Sequence, residues 1–178
     1  MLATFARRIA SKAAMRGLCL ALAIGHDEVP LIDLRGRLPT VAEYPRRDMA
    51  KVNAIVVHHS ATRGQSIRTI AEFHTQTRGW PAIAYHYAIG WDGKVYLLND
   101  VESRTNHAQG FNTRSIGVCF IGDYQRQPLT PEAILAFSHL LTYLRREHGP
   151  LDVYFHRDTK ATECPGDSAV DALRSFKD

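Results

Sequence analysis

Apolar positions along this chain fall into short blocks whose period changes from block to block. Residues 54–57 (Ala, Ile, Val, Val) are apolar and mostly β-branched, and they give way at once to His58, His59 and Ser60. That pattern predicts a buried strand delivering polar groups at its end. Residues 66–78 switch to a helical period, with Ile67, Ile70 and Phe73 along one face and Gly79, Trp80 and Pro81 as the stop. Residues 85–89 and 95–98 flank an Asp92-Gly93 step, which predicts a β-hairpin. Residues 115–121 read as another strand. Thr130 and Pro131 then open a helix carrying Ile134, Phe137, Leu140, Leu141 and Leu144, which Gly149 ends. A final short strand, 153–155, runs into His156. Strands alternate with helices and at least one pair is a hairpin, so the fold class is α/β: a central mixed sheet flanked by helices.

The ends of the chain do not follow these periods. Residues 27–51 are rich in Pro and Arg without sustained periodicity and read as an extended lead-in to the folded domain. Residues 1–25 combine Arg7, Arg8, Lys12 and Arg16 with an apolar run from Gly17 to Gly25. Three readings of this N-terminal extension stand side by side: a secretory signal, a retained cationic helix that touches anionic membrane or cell wall, and a helix packed on the domain. The apolar run is shorter than the ~20 residues a membrane span needs. The division is therefore residues 1–25 as an appendage and 26–178 as one domain, a size that suits a single hydrophobic core.

Composition then narrows the function classes. Hydrophobic residues at 45% and charged residues at 22% exclude a disordered chain. The net charge of +4 sits wholly in residues 1–25, which hold four basic residues and no acid, so the remainder is neutral. A nucleic-acid partner is not expected, because its phosphates require a basic face on the folded domain. Cys19, Cys119 and Cys164 are too few and too widely spaced for a disulfide framework. Cys119, inside the apolar run 116–121, reads as a core residue.

Cys164 reads differently. His58 closes one apolar strand, His156 closes another, and Cys164 follows eight residues later in the segment Thr162-Glu163-Cys164-Pro165-Gly166. Two imidazoles and a thiolate leave the fourth tetrahedral position of a zinc ion open, as catalytic zinc sites do.

Four ordered segments carry a family resemblance: IVVHHSAT from Ile55, YHYAIGWDG from Tyr85, HAQGFNTRSIGVCFIG from His107 and HRDTKATECPG from His156. Together they resemble the N-acetylmuramoyl-L-alanine amidases of the type shared by phage lysozymes and peptidoglycan recognition proteins. The resemblance implies hydrolysis of the amide between N-acetylmuramic acid and the L-alanine of the stem peptide. It places one catalytic Zn2+ on His58, His156 and Cys164, and leaves His59 at a variable position. It puts the family's catalytic tyrosine on Tyr85. Thr162 stands where phage lysozymes carry a lysine, as in the recognition proteins with amidase activity, so a hydroxyl without charge would assist at the oxyanion. His107 and Asn112 match positions that line the substrate groove. Bacterial peptidoglycan is the implied partner and a monomer the expected state. A phage endolysin would wait in the host cytoplasm before release; a bacterial autolysin would be exported to the periplasm or beyond. His86, next to Tyr85, is expected on the opposite strand face in a structural role.

Overall fold

A computed structural model describes residues 30–177; the readings of residues 1–25 fall outside the described part. Six strands form one sheet: β1 (Leu31–Asp33), β2 (Ala54–His59), β3 (Tyr87–Ile89), β4 (Val95–Leu97), β5 (Ser115–Phe120) and β6 (Asp152–Phe155), in the order β1-β4-β3-β5-β2-β6. Among these strands only β3 and β4 pair antiparallel, as the hairpin around Asp92-Gly93. The pairs β1 with β4, β3 with β5, β5 with β2 and β2 with β6 are parallel. The sheet is mixed and flanked by helices, as the alternation of periods predicts.

Burial on both faces explains the apolar runs of β2 and β5, whose residues are all buried. On one face Ile55, Val57, Ile116, Val118, Phe120, Val153 and Phe155 pack against Phe137, Leu140, Leu141 and Leu144 of α2 (Pro131–His148). Each such side chain, fully buried, contributes about 1.5–3 kcal/mol. Thr130 caps α2 by accepting from the Ala133 N–H at 3.2 Å, and Gly149 ends it at φ 82°. On the other face a smaller cluster joins Ile70 and Ala71 of α1 (Ile67–Glu72) to Ile83, Ala88 and Leu98. This thinner side holds the polar residues.

Three local features depart from the sequence-based expectations. The helix predicted over 66–78 has that extent, but only its first part is α-helical; Phe73–Thr77 forms a π turn, with the Arg78 N–H bonded to Phe73 O at 3.1 Å. The strand predicted from residue 85 begins at Tyr87, so strict alternation does not govern Tyr85 and His86. The lead-in holds β1 at the sheet edge and a short 3₁₀ turn, Met49–Lys51. Beyond β6 lie the single turn α3 (His156–Thr159) and the helix α4 (Asp167–Leu173), neither long enough to declare a period in the sequence.

The loop between α3 and α4 is held down tightly. The Arg157 N–H donates to Cys164 O at 2.9 Å, and the Arg157 guanidinium bonds to Asp167 at 2.7 Å and to the Glu163 carbonyl. The Gln125 side chain donates to Asp167 at 2.7 Å, and the Ser168 N–H to Tyr124 O at 3.1 Å. Gly166, at φ 93°, lies so close to Tyr124 and Gln125 that a Cβ would come within 2.6 Å of the Gln125 nitrogen. Both the positive φ and the backbone contact oppose any side chain there. Gly166→Ala is expected to destabilise the fold by about 3 kcal/mol, visible as a lower urea midpoint; an unchanged midpoint would show that the loop yields freely.

Candidate metal centre

Parallel pairing brings His58, His156 and Cys164 together. The register sets Val57 against Phe155 as the last pair of β2 with β6, so the residues that follow, His58 still within β2 and His156 at the start of α3, lie side by side. The Arg157 clamp then returns Cys164 to the same place. One ligand-type atom from each of the three residues lies within 4.8 Å of the others, and His58 Nδ1 is 3.8 Å from Cys164 Sγ. The His58 and His156 rings are 4.4 Å apart between centroids. No other such cluster of His, Cys, Asp or Glu occurs among the described residues.

Electrostatics at this point favour the neutral forms. Burial, together with the neighbouring histidines, holds His58 well below 6.5, and burial beside Lys160 holds His156 at about 4. Burial pushes the Cys164 thiol up to about 11. The imidazoles thus keep lone pairs free for a metal, and a divalent cation held here would displace the thiol proton. The His59 N–H, 3.4 Å from Cys164 Sγ, is a ready donor to the resulting thiolate. The His59 ring goes the other way, its Nδ1 accepting from the Tyr124 N–H at 3.2 Å.

Tyr85 stands beside this cluster, its ring 5.2 Å from that of His58. Burial and the nearby thiols raise its phenol well above 10, so it is a hydrogen-bond donor and not a base. Thr162 accepts from the Cys164 N–H at 3.3 Å, which leaves its hydroxyl proton to give. His107, 5% exposed, sits over β5 with Nδ1 3.1 Å from His58 Nε2. The Asn112 side chain accepts from the Ala108 N–H at 2.7 Å and so shapes the loop that carries His107. Glu163 is exposed and gives the site only its backbone carbonyl.

His86 is fully buried, with Nδ1 accepting from the Gly117 N–H at 2.9 Å and Nε2 2.8 Å from Ser103 O. Both nitrogens bind main chain, which is a structural role. Its ring lies 5.7 Å from that of His107. Cys119 is fully buried in β5, opposite His58 in register.

A cleft of about 530 Å³ opens over the cluster, lined in part by His156, Tyr85 and His107. Its far wall was not legible in the sequence. The π turn supplies Phe73 and buried His74, whose Nδ1 accepts from the Ala84 N–H at 3.1 Å. His74 packs between Trp80 and Tyr85, with centroids 4.9 and 5.6 Å away. Arg78 lies over both Phe73 and Trp80, at 5.3 and 5.9 Å from the ring centroids. Arg78 and Lys160 are the charged residues of the lining, which contains no acid. In the sequence His74 is one histidine among nine, and nothing local ties it to Tyr85.

Buried histidines make stability depend on pH. Burial holds His74 down to about 4 and His86 well below 6.5. Below their unfolded value of about 6.5 the unfolded chain takes up protons that the folded chain refuses. Stability is therefore expected to fall as the pH drops from about 6.5 towards 4. Urea midpoints measured across that range test this, and His74→Gln should flatten the slope.

Comparison with known proteins places this geometry. The family model for N-acetylmuramoyl-L-alanine amidase matches residues 48–167. Peptidoglycan-recognition protein SC1a of Drosophila melanogaster is 34% identical over 133 residues, covering 68% of this chain and 71% of that protein. An endolysin of Klebsiella phage KP32 is 31% identical over 123 residues, covering 65% of this chain and 81% of the endolysin. Among solved structures, the N-acetylmuramoyl-L-alanine amidase endolysin LysCS from Clostridium intestinale URNW superposes with a TM-score of 0.72 at 27% identity, over 84% of this chain and 97% of that one. With two thirds of its length matched by the family model, the sheet, the cluster and the cleft described above are those of a chain that belongs to the N-acetylmuramoyl-L-alanine amidase family.

Proposed function

We propose that the protein is an active zinc-dependent amidase that cuts peptidoglycan between N-acetylmuramic acid and L-alanine, in the manner of a phage or prophage endolysin. The convergence of His58, His156 and Cys164 beside Tyr85 carries this reading. The donor set suits zinc: a tetrahedral ion with Zn–N near 2.0–2.1 Å and Zn–S near 2.3 Å separates its N and S ligands by about 3.6 Å, close to the 3.8 Å between His58 Nδ1 and Cys164 Sγ. Bound there, zinc would supply Lewis acidity and a water acidified towards a pKa of ~7 at its open fourth position.

The remaining residues act on the substrate. As the amide carbon becomes tetrahedral, its oxygen gains charge; Tyr85, kept protonated by burial, donates to it. The Thr162 hydroxyl, its oxygen already engaged by the Cys164 N–H, offers a second, uncharged donor. His74 accepts from backbone at Nδ1, so its hydrogen resides on Nε2 and it too is a donor rather than a base. Phe73 and Trp80 offer apolar surface to the glycan or peptide. Arg78 and Lys160 favour carboxylate-bearing stem peptides over cationic ones.

Purified peptidoglycan should yield new amino-terminal L-alanine on incubation with the protein, stop doing so with chelator, and resume with zinc. Tight wall binding without that product would instead make the chain a recognition module. Tyr85→Phe is expected to lower kcat by about 100-fold, the scale of losing one oxyanion donor, with zinc content unchanged. Cys164→Ser should lose turnover while its far-ultraviolet circular dichroism stays that of the parent; unfolding would mean that the metal only staples the fold.

A further inference from the structure

The zinc reading leaves one buried residue of the site without a defined task. His107 lines the cleft, yet one of its two nitrogens faces a zinc ligand and the other faces backbone. His58 turns Nδ1 towards Cys164, so a metal takes the lone pair of that nitrogen and the ring hydrogen must sit on Nε2. Nε2 lies 3.1 Å from His107 Nδ1, which must then accept. The hydrogen of His107 is thereby placed on its own Nε2, 3.2 Å from the Ser115 carbonyl oxygen. A carbonyl can only accept, and the Ser115 hydroxyl, 3.3 Å from the same nitrogen, gives its own proton to Phe111 O at 2.8 Å, so the direction of the whole chain is set from that end. With the opposite tautomers, a lone pair of His107 would face the Ser115 oxygen and the hydrogen of His58 would block the metal.

Two further features hold His107 in this place. Gly117 lies beneath it, and a Cβ there would come within 2.6 Å of His107 Cγ. Arg47, a buried guanidinium, donates to Ser115 O, to Asn112 O at 2.9 Å and to Val101 O at 2.6 Å. It fixes the carbonyl that His107 reads.

We propose that His107 is a positioning residue for zinc: held by the Ser115 carbonyl, it keeps His58 in the one tautomer and ring orientation that present Nδ1 to the metal. This rests on the zinc reading and adds to it a residue that acts through His58 rather than on substrate.

Zinc affinity of the full chain, measured by competition with a chromophoric chelator, reads this role without any turnover. Absorption of the cobalt-substituted protein adds a report on ligand geometry. His107→Ala is expected to bind zinc 10- to 100-fold more weakly, the usual cost of losing such a partner, with an altered cobalt spectrum. His107→Asn, whose Oδ1 can accept where Nδ1 does, should recover most of the affinity. Zinc binding equal to that of the parent in His107→Ala, with the defect confined to KM, would overturn the proposal while leaving the zinc reading intact. A parent protein that binds no zinc would overturn both. If His107→Ala does not fold, His107→Asn and His107→Gln decide: affinity kept by Asn and lost by Gln supports the role, and equal affinities refute it.

Discussion

The register of β2 against β5 is the constraint on which the rest of the structure depends. Ala54 pairs with Ser115 and the match runs unbroken to His59 with Phe120. Because side chains alternate with a period of two, this single setting sends Ile55 and Val57 to the helix-covered face and His58 to the cleft face. A slip by one residue would bury the wrong set on both sides. The six-residue parallel ladder, buried along its whole length, makes such a slip costly, and the cluster of His58, His156 and Cys164 inherits its precision from that cost.

The same ladder explains the unequal character of the two faces. Opposite α2 the side chains are large and branched, and they fill the space between sheet and helix. On the cleft face β5 offers Ser115, Gly117 and Cys119 in succession. Small residues there leave a hollow, and His107 and His86 occupy it with every ring nitrogen bonded or in hydrogen-bonding range of a partner. Polar groups can be buried at this depth only on that condition. A chemical site and a stable core thus share one sheet, separated by its thickness.

What the sequence discloses follows from how local each signal is. β2 and β5 declare themselves as continuous apolar runs and α2 as a sustained helical period, and His58 and His156 were legible as the polar residues that follow such runs. β1 is three residues at an edge with mostly exposed side chains, so no alternation marks it. The π turn has a helical pattern and differs only in where its hydrogen bonds go. Proximity of His74 to Tyr85, of Arg47 to Ser115 or of Arg157 to Asp167 is created by tertiary packing, which no spacing along the chain records. His86 has the structural role expected of it, but through hydrogen bonds to the Gly117 N–H and Ser103 O and not through strand alternation, since β3 begins only at Tyr87.

The two kinds of candidate ligand rest on different supports. The imidazole of His58 extends from β2 and that of His156 from the turn directly after β6, both fixed by a buried ladder, whereas Cys164 is carried by a surface loop pinned through Arg157, Gly166 and Gln125. Local opening is easiest where few apolar contacts are lost. If a metal is held there as proposed, its residence would therefore be set by the Arg157 clamp, because the thiol can leave only when the hydrogen bonds of that loop break, whereas the ladder keeps the imidazoles in place.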